Sequence, residues 1–196
     1  MKKLIVAGLS IGLLAGCGST GDKNEVKDKT GQKQEVKKED TTKKKKVVSQ
    51  EDFSVYTKSI KGESFIKEAK LNNNKAEITF YDSFAAYKAA HADSTTTEEQ
   101  YKQEFSTEDT IEKMFVEESA RILRRFHALN SINMTLPFEG KTYNINLSRD
   151  SLNAYLGFDI ESIKVADKSW EDKFVKPYVN DKTKRDEFFK KFVKVQ

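Results

Sequence analysis

Ser131-Ile132-Asn133-Met134-Thr135-Leu136-Pro137-Phe138-Glu139-Gly140-Lys141-Thr142-Tyr143-Asn144-Ile145-Asn146-Leu147-Ser148 is the stretch that decides the fold. Ile132, Met134, Leu136 and Phe138 alternate with Asn133, Thr135 and Pro137. After Glu139-Gly140, Tyr143, Ile145 and Leu147 alternate with Thr142, Asn144 and Asn146. A period of two sends successive side chains to opposite faces of a strand. The pattern therefore predicts a hairpin with one buried and one polar face. Pro137 has no N–H for a ladder, so this end of its strand is expected at an edge.

Before the hairpin, Thr107 to about Leu129 predicts a long helix. Ser106 or Thr107 caps it, Glu108 and Asp109 occupy its first turn, and Ile111, Met114, Phe115, Ile122, Leu123, Phe126 and Leu129 form one apolar stripe. Arg121, Arg124 and Arg125 lie toward its C-terminal end, where cations suit the helix dipole. Further upstream, Thr95 and Glu98 have capping-box spacing for a helix over 96–105, and Asp82 or Ser83 caps a short helix through His91. Ser64 to Leu71 and Lys75 to Tyr81 flank Asn72-Asn73-Asn74, which predicts a second hairpin, and Phe53 to Ile60 reads as a first strand. After the central hairpin, Ser148 opens a short helix with Leu152, Tyr155 and Leu156 that stops at Gly157. Ile160 to Ala166 reads as a strand, and Ser169 caps a helical turn ending before Pro177. Asn180 or Asp181 opens a last helix with Phe188, Phe189, Phe192 and Val193 on one side and Lys184, Lys190 and Lys194 on the other. Hairpins without β-α-β crossovers imply an α+β class: a single small domain over 51–196, its mostly antiparallel sheet packed against the long helix.

Ahead of this body, Met1-Lys2-Lys3 precedes the apolar run Leu4 to Gly16, which ends at the only cysteine, Cys17. As a helix that run reaches about 20 Å, short of a hydrocarbon core of roughly 30 Å, so a cleavable signal peptide is expected rather than a membrane span. Leu14-Ala15-Gly16-Cys17 resembles the lipobox of bacterial lipoproteins. The resemblance implies a diacylglyceryl group on the Cys17 sulfur, cleavage between Gly16 and Cys17, and an acylated protein on the extracytoplasmic face of the cell membrane. Two acyl chains give a stable anchor where one gives only a reversible one. A lone cysteine also excludes an internal disulfide.

Net charge is +4, but the body holds 23 basic and 25 acidic side chains; the basic excess lies in the leader and in 17–50. Nucleic acid is therefore not an expected partner. Residues 18–50 carry few apolar side chains and are expected to be a disordered, lysine-rich tether. As a flexible chain it reaches on the order of 30 Å, and fully extended about 110 Å. Lys43-Lys44-Lys45-Lys46 suits anionic lipid head groups or wall polymers, or is a solvated spacer.

For chemistry, Ser64-Phe65-Ile66-Lys67 matches S-x-x-K, and Ser151-Leu152-Asn153 resembles the S-x-N element of penicillin-binding proteins and β-lactamases. Lys182-Thr183-Lys184 lacks the glycine that family needs. His91 and His127 have no metal-ligand spacing, and Glu98-Glu99 and Glu117-Glu118 are helix neighbours that point about 100° apart. Arg121 with Arg124, or Arg121 with Arg125, shares a helix face and suits a phosphate or carboxylate; dipole compensation plus pairing with Glu117 and Glu118 is the structural alternative. The expectation is a non-catalytic binding or interaction module without cofactor or metal, with a protein or cell-wall partner. The alternatives are a small wall-related hydrolase or an anionic-ligand-binding domain.

Overall fold

A computed structural model of the chain describes residues 47–196. Strands β1 (Ile66–Asn72), β2 (Lys75–Phe80), β3 (Ser131–Phe138), β4 (Lys141–Ser148) and β5 (Val193–Val195) lie side by side in chain order. The pairs β1/β2, β3/β4 and β4/β5 are antiparallel, as expected for an α+β sheet of hairpins. The central hairpin has the register its alternation demands, with Met134 opposite Ile145 and Leu136 opposite Tyr143. Glu139 (φ 48°) and Gly140 (φ 76°) both take the left-handed conformation, the turn that matches the twist of two strands joined by two residues. The Asn72–Asn74 turn places Asn73 at φ 54°.

One connection departs from expectation. β2 and β3 are parallel neighbours, and parallel strands cannot be joined by a tight turn. Helices α2 (Phe84–Ala90), α3 (Glu98–Glu104) and α4 (Glu108–Arg125) make the crossover. Their pairing runs from Lys75 opposite Ser131 to Thr79 opposite Thr135, so Pro137 sits where β3 has a neighbour on the β4 side only. Ala76, Ile78, Met134, Leu136, Tyr143 and Ile145 face the buried side of the sheet. The other face is polar; there the Asn144 amide donates to Thr135 Oγ1 at 2.7 Å. α4 lies under the sheet and is buried on nearly every side, Val116, Ala120 and Leu123 included, because more helix packs beneath it.

That outer layer comprises α6 (Lys182–Phe192), a π-helix over Glu171–Asn180 and a 3₁₀ turn over Ile160–Ser162; α5 (Arg149–Leu156) follows β4, capped by Ser148 and stopped by Gly157 at φ 77°. Several local expectations change here. Ile160 to Ala166 is no strand: Ile160 and Ile163 are buried three residues apart, while Val165 is 62% exposed. The helix after Ser169 passes through Pro177, wound wide enough that the missing N–H is absorbed. Ser169 instead ties its own loop, accepting from the Lys164 N–H at 2.7 Å. Val193 leaves α6 and starts β5.

At the other end, Phe53 to Ile60 is not extended: it is helical to Thr57 and then turns. Ser49 caps α1 (Gln50–Thr57), and Phe53 and Thr57 turn inward four residues apart. Gln50 then shields the open edge of β1: its amide donates to the Ala69 carbonyl at 2.9 Å and accepts from the Leu71 N–H at 2.7 Å. The register shift at Ile66/Glu68 explains why the first arm alternates poorly. The α3 capping box uses Thr97 and Gln100, two residues beyond the expected pair. Among the described residues no helix is long and apolar enough to cross a membrane. Cys17, the apolar leader and the Lys43–Lys46 run lie outside the described residues.

Candidate functional site

α4 ends at Arg125 rather than near Leu129, and the reason is a fourth arginine. Arg149, the first residue of α5, is buried and turns its guanidinium onto the carbonyls left open at the end of α4. It donates to Leu123 O at 2.7 Å, Phe126 O at 2.9 Å and Leu129 O at 3.0 Å, and its remaining amine pairs with Glu161. A cation at these carbonyls compensates the dipole at its negative end. Arg149 therefore fills the role that position alone would give to Arg121, Arg124 and Arg125.

The second structural role, pairing with the neighbouring acids, goes to Arg121 alone. Its guanidinium donates to the fully buried Glu118 carboxylate at 3.2 Å and to the Ser59 carbonyl at 3.1 Å, and lies 5.6 Å from the Tyr56 ring. Glu118 also accepts from the Lys61 N–H at 3.2 Å. Burial pushes the Glu118 carboxyl above its ordinary value, against the pull of Arg121. Glu117 pairs with Lys61 at 2.6 Å. No acid of this helix end is left for the other two arginines.

Arg124 is half-buried, its guanidinium carbon 4.8 Å over the ring of Trp170. Its Nε is sealed from solvent without any hydrogen-bond partner, the only such side-chain atom among the described residues. Burial, then the like charges of Arg121 and Arg125, lower its pKa against the pull of the Tyr56 phenol. Arg125 is exposed, 5.7 Å from the Phe126 ring and without an acid among the described residues. Burial raises the pKa of the Tyr56 phenol, against the pull of Arg121, Arg124 and Arg125, so it stays a protonated donor. Its ring is held edge-on by Phe126 at 5.1 Å. The platform is rigid too: Trp170 stacks on Phe174 at 4.7 Å, and Phe174 on Tyr178 at 5.7 Å. Arg124 thus presents guanidinium donors on a rigid platform, while Arg125 and the Tyr56 ring both lie against Phe126.

The other sequence candidates are spent or scattered. Ser64 donates to Glu63 at 3.0 Å and Lys67 is exposed at the start of β1, at the Phe80 end of β2. Ser151 and Asn153 follow the far end of β4, aligned through Ser131 with the Lys75 end of β2. The Ser64, Lys67 and Asn153 constellation is therefore not assembled. Ser151 accepts from the Ser148 hydroxyl at 2.7 Å, and Asn153 bonds Asp159 and the Ile160 N–H, each at 2.9 Å. His91 Nε2 lies 3.2 Å from the Tyr81 hydroxyl, and His127 is exposed. Among the described residues no three His, Cys, Asp or Glu side chains are grouped to hold a metal ion. Glu98 and Glu99 line an open hollow of about 480 Å³ with Lys102 and Glu139, where Glu98 pairs with Lys102 at 2.8 Å.

Sequence reasoning found the three arginines but missed Tyr56, Trp170 and Arg149. Arg149 carries a readable signal: a cation in a first helical turn opposes the dipole, so its presence there points to a tertiary partner. Tyr56 was hidden by reading α1 as a strand. No family model matches the chain, nor does any curated protein or solved structure.

Proposed function

We propose that the chain is a lipid-anchored extracytoplasmic lipoprotein whose α+β body is a non-catalytic binding module. The anchor rests on Leu14-Ala15-Gly16-Cys17 and the short apolar run before it. The module reading rests on one observation: at the end of α4, Arg149 and Arg121 meet every structural need for cations, while Arg124 and Arg125 remain without acids among the described residues. A half-desolvated cation with an aromatic ring beside it but no acid is under-compensated, because burial of charge is unfavourable unless it is paired. Such a surplus suits a partner that arrives from outside.

Intact mass of the native product tests the anchor. A chain beginning at Cys17 and heavier than its polypeptide by a diacylglyceryl group is expected, and Cys17→Ala should give an unlipidated, uncleaved precursor. A native product with the mass of the bare polypeptide, or lipid labelling unchanged in Cys17→Ala, overturns it.

A further inference from the structure

We propose that Arg124, Arg125 and Tyr56 form a binding site for a phosphate monoester dianion, with Trp170 as its floor. The inference rests on the binding-module reading and names the ligand chemistry of that site. Its support is a set of donors that the fold leaves unused. Among the described residues, the Arg124 and Arg125 guanidinium groups have no carboxylate or carbonyl to bond, and the Tyr56 hydroxyl has no hydrogen-bond partner although its ring is fixed. Stacking on Trp170 holds Arg124 in place, so little side-chain freedom remains to be lost on binding. Arg149 covers the carbonyls that would otherwise repel an anion at a helix C-terminus.

The charge selects among oxyanions. Arg121 is neutralised by Glu118, which leaves two adjacent positive charges that repel each other. A carboxylate or phosphodiester, with a single charge, neutralises one of them. A phosphate monoester carries about −1.5 to −2 near neutral pH and neutralises both. Its three terminal oxygens match the two terminal amines of Arg124, the Arg125 fork and a phenolic O–H, and planar guanidinium groups bind such oxygens in pairs. A soluble ester and a monoester lipid head group present the same dianion.

Trp170 is the sole tryptophan and touches the site, so its emission reports occupancy directly. The purified full chain, held in neutral phosphatidylcholine vesicles or detergent, is titrated with inorganic phosphate and with glycerol 3-phosphate, against sodium chloride at matched ionic strength. A parallel arm places phosphatidic acid in the vesicles. A saturable Trp170 change with a phosphate probe is expected. Arg124→Gln should weaken it roughly tenfold or more, as loss of a charge-assisted hydrogen bond, and Tyr56→Phe roughly two- to tenfold. Arg125→Gln, an exposed position that leaves folding intact, should weaken it in the same sense and decides the matter if Arg124→Gln fails to fold. A response to both soluble probes assigns a free ester, and a response to phosphatidic acid alone assigns a lipid head group. No saturable change with any probe, the same change with chloride, or unchanged affinity in Arg125→Gln and Tyr56→Phe overturns the proposal. Lipidation at Cys17 is read by mass and the soluble arms do not need it, so the two readings fail separately.

Discussion

At the N-terminal end of α4, the buried Arg185 of α6 is fully bonded: it pairs with Asp109, reaches Glu112 at 3.4 Å and donates to the Val179 carbonyl at 2.5 Å. At the C-terminal end, Arg149 is as fully bonded and Arg121 is held by Glu118 and the Ser59 carbonyl through one amine, but Arg124 and Arg125 have neither an acid nor a carbonyl among the described residues. The same helix therefore shows both treatments of a cation. Where the guanidinium serves the fold, it finds both an acid and a carbonyl, as burial of charge requires. Where donors are left over on a rigid platform, the fold does not account for them. The contrast separates structural arginines from candidate ligand-binding ones, which a count of basic residues on the helix cannot do.

The largest effects should fall on the fully bonded side. Arg185→Met leaves Glu112 and the Val179 carbonyl without that cation, while Asp109 keeps only Lys113 at 2.7 Å, and Arg149→Met strands the carbonyls of Leu123, Phe126 and Leu129. Removing one partner of a buried ionic cluster costs about 3–5 kcal/mol, readable as a lowered urea midpoint. A loss below about 1 kcal/mol in either variant would erase the distinction between the two classes of arginine.

Arg121→Met should come next, at about 2–3 kcal/mol near neutral pH, because Glu118 keeps the Lys61 N–H but loses its counter-charge. Its signature is pH dependence. Burial already raises the Glu118 carboxyl above its ordinary 4.5, and loss of Arg121 raises it further. Above that ordinary value the folded chain then binds more protons than the unfolded one, so stability falls as pH rises through the window. The deficit against the parent protein should be greatest around neutral pH and shrink as pH falls toward 4.5. A deficit that is flat with pH would show that Arg121 acts through the Ser59 carbonyl and Tyr56, not through Glu118.

Much of the fold was legible because it rests on local periodicity. The 131–148 hairpin, the Asn72–Asn74 turn and the α4 cap are written in alternation, asparagine and threonine at fixed offsets. The β2/β3 parallel pairing was not, since a crossover leaves no mark at the strands it joins. Nor was the outer layer. Ile160 to Ala166 has the apolar density of a strand, but its isoleucines pack at a turn, a decision made by tertiary packing alone. The candidate site divides the same way: three arginines at one helix end could be read directly, whereas which of them the fold consumes depended on Arg149 and Trp170, 20 or more residues away.

The smallest effects should fall on the unbonded side, and they sharpen the comparison most. Arg124→Met removes a half-buried charge that has no acid beside it and keeps an apolar stem over Trp170. The cation–π attraction that disappears is worth about 0.5–2 kcal/mol, and relief of an uncompensated desolvation opposes it, so the net change in ligand-free stability should stay within about 1 kcal/mol of zero. Arg125→Gln, at an exposed position, should stay within about 0.5 kcal/mol. Urea unfolding of both beside Arg149→Met turns the geometric contrast into an energetic one. If Arg124→Met were as damaging as Arg149→Met, Arg124 would be a structural residue of the α4 end, and its unbonded donors would have to be explained by packing against Trp170 alone.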